Sequence, residues 1–222
     1  MTELTYINER RFAQTRMPAA RREDLSAEEQ VIYDRIIARA SENGEYRAVQ
    51  RRHYYGMLLH SPQFAMRLGD MGSSIKMLAS RRNLALVTVG AEAPCYFLLM
   101  GHVADAVATG VRPEVVRGII DGDDNPLSPD ERVLSGFTRQ IVKRQVNDET
   151  FAAAKAMLGV RGTAEFVAVV SLYLLVAQFS SAFGIPEPPR EEVDGLLAEV
   201  TRLAASGAPG FGIENWDRDN LR

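Results

Sequence analysis

From Ser26 to Ala205 the apolar residues recur at helical spacing and never in strict alternation, and glycine or proline interrupts them at short intervals. That pattern suits helices joined by tight connections and leaves no segment for a sheet. The chain therefore predicts an all-α fold, a single-domain helical bundle of about ten helices. Ser26 and Glu29 make an S-x-x-E capping box ahead of Val31, Ile32, Ile36 and Ile37, so a helix is expected to about Ala40. A second is expected over Tyr46 to Leu59, and His60-Ser61-Pro62 opens the next, whose apolar face is Phe64, Leu68, Met71, Ile75 and Leu78. Ser80 is expected to cap a helix running to Gly90, and Pro94 to start another from Cys95 to Thr109. Arg112-Pro113-Glu114 opens a short helix, DGDDNP is a turn, and Ser128-Pro129-Asp130-Glu131 places acids at a positive helix start. Asn147 or Asp148 caps a helix closed by Gly159. A long apolar helix follows over Gly162 to Phe183, and a last one covers Arg190 to Ala205.

Residues 1–24 include Arg10, Arg11, Arg21 and Arg22 and read as an N-terminal arm that crosses the surface or embraces a partner subunit, with disorder as the plainer alternative. Residues 25–205 form the helical domain, and 206–222, which include Trp216, an irregular tail. The net charge of −3 comes from 26 basic and 29 acidic residues spread along the chain, a balance that calls for neither nucleic acid nor an acidic membrane surface. A single cysteine excludes a disulfide-stapled domain. The opening MTELTYINERRF lacks the apolar stretch of a secretory signal. The apolar tract from Phe166 to Phe179 contains Ser171 and Gln178 and reads as too short and too polar to span a bilayer. A cytoplasmic location is the expectation.

Asn83 to His102 is the segment with the most chemistry. Cys95 and His102 are seven positions apart, close to two helical turns, so both side chains are expected on one face, about 10 Å apart along the axis. Pro94 would put Cys95 in a first turn, where free N–H groups and the helix dipole favour a thiolate. His102 would serve as acid, base or orienting partner. The plainer alternatives are a small core cysteine and a structural histidine. Arg81 and Arg82 offer planar guanidinium groups for a carboxylate, or a solvated helix start. His53, His60, Tyr54, Tyr55 and Tyr96 are further candidates, more readily explained as packing or loop residues. Asp121, Asp123 and Asn125 imitate the start of a calcium loop, but Pro126 stands where glycine is needed and Arg132 where a bidentate glutamate is needed. No His/Cys/acid cluster has zinc spacing and no glycine-rich phosphate loop occurs, so neither a metal nor a cofactor is expected.

The stretch SRRNLALVTVGAEAPCYFLLMGHVADAVATGVRPEVV resembles the core motif of the carboxymuconolactone decarboxylase and alkylhydroperoxidase D-like superfamily. The likeness continues through LSPDERVLSGFTRQIVKRQVNDETFAAAKAMLG and TAEFVAVVSLYLLVAQFSSAFGIP, and upstream in LLHSPQFAMRLGDMG, covering roughly residues 57–186. It implies an all-α fold assembled as a homo-trimer or hexamer, with sites near subunit interfaces. It also implies either decarboxylation of small lactone acids or peroxidase chemistry through a C-x-x-C dithiol, a relay glutamate and a histidine. Cys95 falls on the first cysteine and His102 on the histidine. The second cysteine position is Leu98, the relay glutamate position is Asn83, and Glu165 matches a helix glutamate of the family. Leu98 cannot resolve a sulfenic acid on Cys95, which removes the dithiol cycle from this chain. Glu92 lies nearby without occupying the family position.

Three functions follow as expectations. The first is a cofactor-free decarboxylase-like enzyme for a small carboxylated molecule, with His102 as acid or base, Asn83 as polar orienter, Arg82 as anion anchor, and Cys95 in the pocket. The second is a thiol redox protein using Cys95 alone. The third is a non-catalytic oligomeric binding or scaffold protein.

Overall fold

The computed structural model of the chain describes residues 15–41 and 54–207, and these are helical with no strand among them. Expectations for Arg10, Arg11, His53, the start of the second helix and the Trp216 tail fall outside the described residues. In order, the elements are a 3-10 turn at Arg22–Asp24, α1 Ala27–Ser41, α2 Pro62–Ser74, α3 Ala79–Glu92, α4 Tyr96–Ala108, α5 Pro113–Asp121, α6 Pro129–Lys143, α7 Asp148–Phe183 and α8 Arg190–Ser206. Residues 54–58 are also helical. The all-α class read from the sequence is the class observed.

The described residues form two compact units, one made of those up to Ser74 with Gln178–Glu187, the other of Ile75–Ala177 with those from Pro188 onward. In the first, Ser26 caps α1 as its sequence indicates: Ser26 N–H donates to Glu29 Oε2 at 3.0 Å and Glu29 N–H to Ser26 Oγ at 3.4 Å. Arg16, within the expected arm, is tied to the end of α7. Its Nη1 donates to Ser181 O at 3.1 Å and Ala182 O at 2.7 Å, carbonyls of the last turn, where the helix runs out of its own donors. His60 is similarly occupied, with Nε2 at 2.8 Å from Pro18 O.

The second unit is organised around α3. Every residue from Asn83 to Gly90 is buried, so over this stretch the helix has no solvent face. It packs against α4, α5 and α6, while α8 covers α4 and α5. Phe137 of α6 stacks on Phe166 of α7 with ring centroids 5.7 Å apart, and both are buried. Gly90 lets α3 and α4 meet closely: a Cβ there would lie 2.9 Å from Leu99 Cδ2 and 3.3 Å from the Leu99 backbone nitrogen. The α6 start carries the second capping box, with Ser128 N–H donating to Glu131 Oε2 at 2.7 Å.

Four boundaries differ in detail from the sequence reading. The α2 helix ends at Ser74, so Ile75 and Leu78 of the expected apolar face fall beyond it, and Phe64, Met71 and Leu78 are exposed. The α3 helix begins at Ala79 behind Leu78, so Ser80 lies inside its first turn and caps nothing. Cys95 is the residue before α4, not part of its first turn. Gly159, with φ 70° and ψ 173°, breaks the run at the expected point, but the chain resumes as helix at once, so α7 is a broken continuation. Taken whole, α7 is long and apolar enough to cross a membrane by length and composition, which the tract from Phe166 to Phe179 alone had not suggested. A third of its apolar window is buried, including Phe166, Val169, Val170 and Leu172.

Candidate functional site

The α3–α4 hairpin places Asn83 against the last turn of α4. Asn83 is buried, and its Nδ2 donates to Asp105 O at 3.3 Å and to Thr109 Oγ1 at 3.1 Å. Thr109 Oγ1 in turn donates to Asp105 O at 2.7 Å. These bonds direct the Asn83 amide nitrogen into the helix packing, where it fastens α3 to α4. Buried amides need such partners, because an unmet donor costs about 1–3 kcal/mol.

His102 sits one turn before Asp105 on α4, with its side chain 18% exposed against 5% for Asp105, and Nδ1 lies 3.6 Å from Asp105 Oδ2. On another side the imidazole meets the Tyr173 ring of α7 edge to face, at a centroid distance of 5.0 Å and an interplanar angle of 77°. Arg82 of α3 completes the group. Its Nη2 donates to the Tyr173 hydroxyl at 3.2 Å, and its guanidinium carbon lies 5.9 Å from the centre of the same ring. Arg82, Tyr173, His102 and Asp105 thus form one connected cluster across three helices. Such a set can hold an anion at the guanidinium and exchange a proton at the imidazole.

The remaining candidates stand apart. Cys95 is only 2% exposed, and its N–H closes the α3–α4 turn by donating to Gly90 O at 2.9 Å. A thiol so enclosed is poorly placed for exchange with a bulky disulfide or reductant. Arg81 is half-buried and projects about 100° around α3 from Arg82. Glu165 accepts from Arg161 Nε at 2.8 Å and lies about 12 Å along α7 from Tyr173. Glu92 is held by Arg139 Nε and Lys143 Nζ, each at 3.0 Å. At the end of α5 Asp121 pairs with Arg190, and in the turn that follows Asp123 accepts from Asn125 N–H at 3.0 Å and Asp124 binds Arg139 at 2.8 Å. These aspartates are engaged in turn closure and ion pairs.

Asp105 and Tyr173 were not singled out from the sequence. For Asp105 a signal existed, because His102 and Asp105 are the only ionisable groups besides Tyr96 in YFLLMGHVADAVA and stand three apart. Tyr173 had none, since the contact with Arg82 joins residues 91 positions apart. No protein-family model, curated protein or solved structure matches this chain.

Proposed function

We propose that this protein is a cofactor-free acid–base enzyme of the carboxymuconolactone decarboxylase type, acting in the cytoplasm as a homo-trimer or hexamer on a small carboxylated molecule. The observation that carries the reading is the convergence of Arg82, Tyr173 and His102, with Asp105 against the imidazole. The sequence resemblance over residues 57–186 supports the same chemistry. Arg82 anchors a substrate carboxylate with the guanidinium N–H groups not given to Tyr173. As the carbon–carbon bond to a second carboxylate breaks, its electron pair passes into the conjugated system of the substrate, carbon dioxide leaves, and His102, protonated beforehand from solvent, delivers that proton to carbon and is left neutral. Cys95 is a wall residue in this scheme, and Asn83 fixes the hairpin that carries His102. The enclosure of Cys95 and the leucine at position 98 both argue against the thiol alternative. A non-catalytic binding role draws support from Asn83, whose amide nitrogen is directed to α4 instead of toward a ligand.

The test is carbon dioxide release and ultraviolet absorbance on a panel of small unsaturated lactone acids. His102→Ala should lower kcat/KM by roughly 10²–10⁴ on any acid that is turned over. Unchanged turnover in that variant sinks the catalytic assignment. Saturable binding without turnover, equal in both proteins, favours the binding role.

A further inference from the structure

We infer that Tyr173 is the second donor of an anion site with Arg82: its hydroxyl accepts from the guanidinium and gives its own hydrogen to the carboxylate that Arg82 binds. This rests on the anchoring role given to Arg82 above and adds to it the residue that sets which ligands the anchor holds. The starting point is a charge without a counter-charge. Among the described residues of the second unit, the half-buried arginines are Arg81, Arg82, Arg117, Arg139 and Arg190. Arg117 and Arg190 pair with Asp194, Arg190 also with Asp121, and Arg139 with Glu92 and Asp124. Arg81 and Arg82 have no described carboxylate within ion-pair distance, and the first turn of α3, which carries both, holds no acid. The helix dipole adds positive charge at that end. A guanidinium taken partly out of water is costly until an opposite charge meets it.

What Arg82 does meet is neutral. Its Nη2 lies 3.2 Å from the Tyr173 hydroxyl. A guanidinium only donates, so the phenol oxygen is the acceptor in this bond and Tyr173 keeps its own hydrogen for another partner. No described residue takes that hydrogen, and none accepts from the other N–H groups of Arg82. Accepting from a cation also polarises the phenol and makes it the stronger donor. The two donor atoms are close enough for one carboxylate to take a hydrogen from each, in charge-assisted bonds. The guanidinium carbon lies 5.9 Å from the centre of the Tyr173 ring, and the ring stands edge to face with His102 at 5.0 Å. An anion held by this pair is therefore fixed beside the imidazole.

The experiment is a nuclear magnetic resonance titration of the full-length protein, labelled at arginine Nε, with crotonate as the probe and crotonamide as its neutral counterpart. The Arg82 resonance is assigned by its loss in Arg82→Lys. Crotonate should shift that resonance saturably and crotonamide should not. Tyr173→Phe keeps the ring beside His102 and removes only the hydroxyl, and it should weaken crotonate binding about tenfold. Equal affinity for crotonate in Tyr173→Phe and the native protein overturns the inference. So do equal binding of crotonate and crotonamide, and shifts that are absent or grow alike at all arginines without saturating. If Tyr173→Phe does not fold, the two native titrations decide alone. Weakened binding in Tyr173→Phe together with full turnover in His102→Ala would leave the anion site and remove the catalytic reading. Undiminished binding in Tyr173→Phe with turnover lost in His102→Ala would do the reverse.

Discussion

Two polar assemblies tie helices together in the second unit, one buried between α3 and α4 and one at the surface between α5 and α8. The buried one is a single neutral amide, Asn83, with two recorded bonds to α4. The surface one has four charged groups: Arg117 and Arg190 both pair with Asp194, and Arg190 also pairs with Asp121. A tally of charges would rank the surface network first. Burial reverses the order, because its members are each a third or more exposed, and water already solvates them when the pairs are open. The amide of Asn83 has no such recourse. The lesson is that a polar contact counts by what would replace it.

The comparison can be broken at either end. Asn83→Ala should destabilise the protein by about 1–3 kcal/mol in urea unfolding, since Thr109 and Asp105 O lose a donor in a buried place. Arg190→Ala should cost less than about 1 kcal/mol, and the difference from the native protein should shrink in 1 M salt, where the Debye length falls to about 3 Å. A larger loss for Arg190→Ala than for Asn83→Ala would invert the ranking. The smallest expected effect is in acid. Burial pushes the Asp194 carboxyl up, but bonds from Arg117 and Arg190 outweigh it and hold the group below its ordinary value of 3.8. A depressed carboxyl contributes stability above the unfolded-state value and loses it as pH falls through the folded-state value. Asp194→Asn should therefore differ from the native protein at neutral pH and converge with it only below about pH 4. A gap that persists unchanged into stronger acid would show that the carboxylate charge is not what holds α8.

Much of the fold was legible in the sequence because helix ends are written locally. Ser26 with Glu29 and Ser128 with Glu131 form their capping boxes as spelled, and Gly159 takes the positive φ that interrupts α7. The exceptions are also local: Ser80 resembles a cap, but the helix gains a residue before it, and Cys95 stands just outside α4. The candidate site was only half legible. His102 and Arg82 carry chemistry whatever their surroundings, so residue type pointed to them. What the Asn83 amide bonds to depends on α4, and which ring covers His102 depends on α7. Neither follows from spacing along the chain. Asp105 was hidden for another reason, since an acid on a helix usually faces water, and only burial shows that this one does not.

The contact at Gly90 makes the α3–α4 hairpin a gauge whose setting is an absence. With Leu99 atoms 2.9 to 3.3 Å from the position a single methyl would take, the gap between the two helices has little slack at that end. Asn83 and Asp105 meet at the other end of the same pair. Any wedge at Gly90 is therefore levered along two stiff rods toward the imidazole, which makes a residue with no side chain one of the controls on how tightly His102 is held.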